Sequence, residues 1–184
     1  MELIFITGGT LTNLTFLSHA LRPYEAVISA DTGHINTHET GAIEASGHKV
    51  LSIPCTDGKL TADLIRPVLK QHENEHWVEP RLVYISLPTE LGTVYTKEEL
   101  EKLYQFCKRH NLYLYIDGAR LAMALAVEET QLTLKDLPDL CDAFYIGGTK
   151  NGAMFGEALI LVNDDLKDHF RFNMKQRGAI LAKG

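Results

Sequence analysis

The group with the most chemical promise in this chain is a lysine placed just beyond an apolar strand pattern. The stretch Asp142-Ala-Phe-Tyr-Ile-Gly-Gly-Thr-Lys-Asn-Gly152 carries an apolar run over 143–146, stopped by two glycines, with Lys150 just past the turn. Lysine is seldom set at the buried end of a strand unless it is paired or chemically used. A desolvated lysine loses its proton readily and attacks carbonyls, which is Schiff-base chemistry. The plainer reading is a solvated loop lysine. Asp117 follows the apolar run 112–116 directly, and Arg120 stands three residues on. Their plain readings are a carboxylate making turn hydrogen bonds and a salt bridge between the two. Gly8-Gly9-Thr10 opens a helical pattern after a strand pattern, so N–H groups and a positive helix end can meet an anion there. Thr89 and Glu90 follow the run 81–86.

His34 and His38 are four apart, with Glu39 adjacent. On a helix the two imidazoles would share a face and could hold a metal. No third ligand is evident, and HxxxHE matches neither HExxH nor HxxEH. Polar loop histidines, or one flat imidazole used for stacking, are the other readings, and no metal site is assigned.

Bulk properties bound the rest. The chain has 184 residues, enough for a single domain over 1–184 with a sizeable core, and 45% of them are hydrophobic. A net charge of −6 argues against nucleic acid as the default partner. Cys55, Cys107 and Cys141 are widely spaced and form no CxxC pair, which suits a reducing, cytoplasmic setting. The N-terminus has no basic segment ahead of an apolar one, and no run reaches the ~18 apolar residues of a membrane span. Both ends look cut: the chain opens in a strand pattern and closes over 175–184 without a cap or polar tail. The expectation is a piece of a longer protein.

The elements that must position these groups alternate. Strand patterns cover 3–6, 26–30, 49–53, 81–86, 112–116, 143–146 and 158–162. Helical patterns lie between them. The first runs to about residue 21 with Leu11, Leu14, Leu17 and Leu21 inward and Thr10 or Thr12 as cap. Thr96 and Glu99 form a capping box for a helix to about 110. Further helices are expected over 60–72, over 121–128 and from Asn163 or Asp164 toward 172. Near-continuous apolar strands alternating with helices mean an α/β fold: three αβα layers around a mostly parallel sheet of about seven strands. The last strand is expected to run antiparallel. Ligands of such sheets sit beyond the carboxyl ends of the strands, and every group named above follows a strand end.

An anion cradle, a flat imidazole, a buried carboxylate and a lysine together match pyridoxal 5′-phosphate. The residues that carry a more specific likeness are Gly8-Gly-Thr-Leu-Thr-Asn13, His34 with Glu39 and Gly41, Tyr115-Ile-Asp-Gly-Ala-Arg-Leu121 and Gly148-Thr-Lys-Asn-Gly152. They resemble the threonine aldolase and β-eliminating lyase group of pyridoxal-phosphate enzymes, which have the aspartate-aminotransferase-like fold. The resemblance covers the cofactor-binding large domain and implies that the family's N-terminal segment and C-terminal small domain are absent. It implies that Gly9 and Thr10 hold the phosphate, that His34 stacks on the ring and serves as base, and that Asp117 pairs with the ring nitrogen. Arg120 would contact the phenolic oxygen or a substrate carboxylate, and Lys150 would carry the cofactor. The implied reaction is cleavage of a β-hydroxy amino acid, threonine giving glycine and acetaldehyde, by a homodimer or homotetramer. Where many members carry a loop histidine this chain has Thr89-Glu90-Leu91, so Glu90 is a substitute for hydroxyl recognition or the substrate differs. The alternatives are β-elimination and a catalytically silent fragment that binds cofactor or a partner chain.

Overall fold

The computed structural model describes residues 1–181. The expected close of the chain without a tail extends to residues 182–184, which lie outside the described residues. Seven strands form one sheet: β1 (Glu2–Ile6), β2 (Glu25–Ala30), β3 (Val50–Ile53), β4 (Glu79–Ser86), β5 (Tyr113–Asp117), β6 (Ala143–Gly147) and β7 (Glu157–Leu161). Their order is β1-β7-β6-β5-β4-β2-β3. The pairings among β3, β2, β4, β5 and β6 are parallel. β7 runs antiparallel to both β6 and β1, as expected of the last strand.

Side chains alternate across the sheet and feed two cores. Ile28, Val83, Leu114 and Ile116 point to one face, where they meet α4 (Ala62–Gln71) and α5 (Lys97–Arg109). Val27, Tyr84, Tyr115 and Tyr145 point to the other, covered by α1 (Gly9–Ala20) and α7 (Phe170–Gln176). This is the expected three-layer arrangement. Both faces of β2 are covered, so all six of its residues are buried. The capping box forms as read: Thr96 accepts from the Glu99 N–H, and the Glu99 carboxylate accepts from the Thr96 N–H at 2.8 Å. Among the described residues, no helix is long and apolar enough to cross a membrane.

Several local expectations change. The His34 region is not a loop but two short helices, α2 (His34–Thr37) and α3 (Ala42–Ala45). α6 stops at Leu125 (Leu121–Leu125) rather than continuing to 128. The helix expected from Asn163 splits. Asn163 caps a single 3₁₀ turn (Asp164–Leu166), and α7 starts only after His169, whose φ of 56° lies in the left-handed region. The inward face of α1 is also rotated. Phe16 and Leu17 are buried with Thr12, Asn13 and Thr15, while Leu11 and Leu14 are only half-buried. Of these three polar residues, Asn13 reaches the Glu39 and Asp117 carboxyl groups.

Candidate active site

Asp117 ends β5 and is 3% exposed. Its Oδ2 accepts from the Tyr84 hydroxyl at 2.5 Å and from Asn13 Nδ2 at 2.9 Å. Its Oδ1 accepts from the Ala119 N–H at 3.0 Å. Tyr84 is brought there by β4, where it pairs in register with Tyr115 of β5, and Asn13 by α1. Burial, and then the Asp117 charge, push the Tyr84 and Tyr145 phenols up, so Tyr84 stays protonated and donates. Three donors thus serve a carboxyl group that is out of water.

His34 opens α2, and its Nδ1 lies 2.8 Å from Glu39 Oε1. The Glu39 side chain has no exposure, and the same oxygen accepts from Asn13 Nδ2 at 2.7 Å. The His34 pKa is raised, first by the hydrogen bond to Glu39, with Asp117 and Glu90 adding charge and burial opposing. Glu90 is half-buried after β4. The exposed His38 ring stacks on His34 at 5.4 Å, so the two imidazoles do share a side. Ligand-type atoms of His34, Glu39 and Asp117 lie within 4.8 Å of one another. Glu39 and Asp117 are thus further ligand-type groups beside His34, a grouping that the sequence pattern did not show, and Asn13 Nδ2 donates into both carboxyl groups.

The start of α1 has Gly8 as N-cap and no side-chain cap, against the expectation of a threonine cap. Thr12 instead turns its hydroxyl back to the Gly8 carbonyl at 2.9 Å. Gly9 and exposed Thr10 thus lie in a first turn whose N–H groups lack intrahelical acceptors. A Cβ at Gly9 would stand 3.1 Å from the Tyr145 hydroxyl, so this turn packs against β6.

Lys150 sits in a 3₁₀ turn (Thr149–Asn151) directly after β6. It is exposed, as in the plainer reading of a solvated loop lysine: the turn carries it clear of the sheet. The turn itself is pinned. Buried Glu157 of β7 accepts from the Gly148 N–H at 2.9 Å and the Thr149 hydroxyl at 2.7 Å. Asn151 Nδ2 donates to the Gly147 carbonyl at 2.6 Å. A Cβ at Gly118 would fall 2.0 Å from the Tyr145 carbonyl, so the loop after Asp117 and the strand leading to Lys150 are packed together. Arg120 caps α6 and is exposed. It forms no salt bridge with Asp117, because that carboxylate is already occupied from inside the fold.

The structure therefore brings His34, Asp117 and Glu90 together and sets Gly9, Thr10, Arg120 and Lys150 at neighbouring strand ends. Asn13 and Tyr84 were missed as site residues. Their one signal is a polar group, and an aromatic one, at positions the fold turns inward.

The beta-eliminating lyase family model matches residues 1–184. A low specificity L-threonine aldolase of Pseudomonas aeruginosa is 37% identical over 99% of this chain and 53% of its own length. A solved threonine aldolase structure from Leishmania major superposes with a TM-score of 0.97 at 58% identity, over all of this chain and 54% of that one. Aspartate aminotransferase from Thermus thermophilus, 16% identical over 97% of this chain and 46% of its own, shares the fold with a TM-score of 0.70. The chain spans about half the length of the curated relatives it matches. Matched along its whole length by that model, the chain belongs to the beta-eliminating lyase family.

Proposed function

We propose that this chain is the cofactor-binding large domain of a pyridoxal-phosphate-dependent lyase that cleaves the Cα–Cβ bond of a β-hydroxy amino acid, threonine giving glycine and acetaldehyde. The carrying observation is Asp117: a buried strand-end carboxyl group served by three donors, with an imidazole close by and a lysine after the next strand. The donor set fits the cofactor. An uncapped helix start at Gly9 and Thr10 suits the phosphate, an anion at Asp117 suits a protonated ring nitrogen, and an accessible amine at Lys150 suits the aldehyde. When bound, the cofactor supplies an electron sink. His34 offers a flat ring for stacking and, through Nε2, a base for the substrate hydroxyl. Arg120, with an exposed side chain, serves the phenolic oxygen or the substrate carboxylate. Glu90 adds negative charge beside His34 and so favours proton uptake there. A homodimer or homotetramer in the cytoplasm completes the reading.

The test treats the purified chain with pyridoxal phosphate, reduces with borohydride and maps the modified residue. Lys150 is the expected site, and Lys150→Ala is expected to abolish the adduct. An undiminished adduct in that variant overturns the lysine assignment. With L-threonine, glycine plus acetaldehyde is expected. Pyruvate plus ammonia from serine would assign β-elimination instead, a reading favoured by Glu90 in the loop where many relatives carry a histidine.

A further inference from the structure

The two ends of the site, His34 and Asp117, are joined by an unbroken chain of hydrogen bonds through residues with no assigned role. His34 Nδ1 is 2.8 Å from Glu39 Oε1, and Asn13 Nδ2 donates to that same oxygen at 2.7 Å. Asn13 Nδ2 also donates to Asp117 Oδ2 at 2.9 Å, and Asn13 Oδ1 accepts from the Tyr115 hydroxyl at 3.0 Å. Every polar atom of the Asn13 side chain is engaged. Its orientation is fixed as well, since an oxygen in place of Nδ2 would face two carboxylates.

Glu39 is the unusual member. Its side chain has no exposure, and among the described residues its Oε2 has no hydrogen-bond partner. Burying a carboxylate with one oxygen unserved is costly unless the group works on a partner. The one ionisable partner it touches is His34. We propose that Glu39 is a positioning residue: it holds the His34 ring by Nδ1, so that the neutral imidazole keeps its hydrogen on Nδ1 and presents the Nε2 lone pair to the ligand. The role in catalysis rests on the function proposed above; the tautomer and charge of His34 do not.

The groups that face His34 come from several segments. Glu39 follows α2, Asp117 ends β5, Glu90 follows β4, and the His38 ring lies stacked beside it. The three carboxylates favour the imidazolium, and Glu39 contributes most. With Glu39 neutralised, Asp117 and Glu90 remain but neither is hydrogen-bonded to the ring.

The experiment is a ring-nitrogen NMR titration of His34 in the full chain without cofactor, comparing the parent with Glu39→Gln. The parent is expected to titrate above the ordinary histidine value of 6.5 and to hold the Nδ1–H tautomer when neutral. In Glu39→Gln the midpoint falls toward that value and the Nδ1–H preference is lost. An unchanged midpoint and tautomer overturn the proposal. If Glu39→Gln does not fold, Glu39→Asp keeps the charge and shortens the reach, and an unchanged tautomer there overturns it equally. Because the titration uses no cofactor, failure of borohydride trapping in the parent would remove the proposed activity and leave this result standing.

Discussion

The floor and the rim of the site are built in opposite ways. On the floor, Asp117, Asn13 and Glu39 are 3%, 0% and 4% exposed, and Tyr84 is 1% exposed. Short hydrogen bonds link them in series, Glu39 to Asn13, Asn13 to Asp117 and Asp117 to Tyr84. On the rim, Thr10, Arg120 and Lys150 are exposed, and among the described residues the Arg120 and Lys150 side chains make no hydrogen bond or ion pair. A buried polar group must find its partners within the protein, so the floor is fixed by the same contacts that fold the chain. A solvated group needs no partner, so the rim can be placed by the backbone alone. Stability and reactivity thus rest on different residues, and substitutions should separate them.

The largest effect is expected on the floor. Asp117→Ala strips acceptors from Asn13, Tyr84 and the Ala119 N–H, all inside the protein. Removing one partner of a buried network leaves the others to bear their desolvation, and the loss should be about 3 kcal/mol by urea unfolding. Unchanged stability would show that the network does not hold the floor together.

Asn13→Asp tests the same network with almost no change of shape. It replaces the donor shared by Glu39 and Asp117 with a third carboxylate. Buried like charges cannot all ionise, so one carboxyl in the folded state takes its proton at a pH well above the unfolded value of about 4. The folded state then binds more protons than the unfolded one, and stability falls as pH rises. The variant should lose about 2 kcal/mol at pH 7 and recover much of it near pH 5. A deficit equal at both pH values would mean that Asn13 acts by packing rather than as a donor.

How legible these two regions were differs for a physical reason. The strands, the three layers and the Thr96–Glu99 capping box follow from apolar runs and short-range side-chain chemistry, which the sequence displays directly. Asp117, Arg120 and Lys150 stand out because they follow strand ends in short motifs. Asn13 did not, because the spacing of Leu11, Leu14 and Leu17 implies a different inward face for α1. Only the docking of that helix over the strand ends turns Asn13 toward Glu39 and Asp117, which are 26 and 104 residues away in sequence. Tyr84 reads as one more apolar strand position until the register sets it beside Tyr115. For Lys150 the sequence leaves a desolvated and a solvated side chain both open. A strand end looks buried in sequence, but the 3₁₀ turn that follows β6 lifts the next side chain into solvent.

The smallest stability effect, and the sharpest contrast, is expected on the rim. Lys150→Ala removes a solvated side chain from a turn that it does not itself hold. The turn is held by Glu157 through the Gly148 N–H and the Thr149 hydroxyl, and by Asn151 through the Gly147 carbonyl. Surface substitutions clear of such contacts stay within about 0.5 kcal/mol. Lys150→Ala should therefore unfold at the parent's urea midpoint while failing to form any borohydride-fixed adduct. Glu157→Gln should do the reverse in part, weakening the turn and lowering the adduct yield while the lysine remains. Loss of stability in Lys150→Ala would place that lysine on the floor and erase the division between the two regions. Parent-like adduct yield in Glu157→Gln would show that the reactive position needs no pinning from β7.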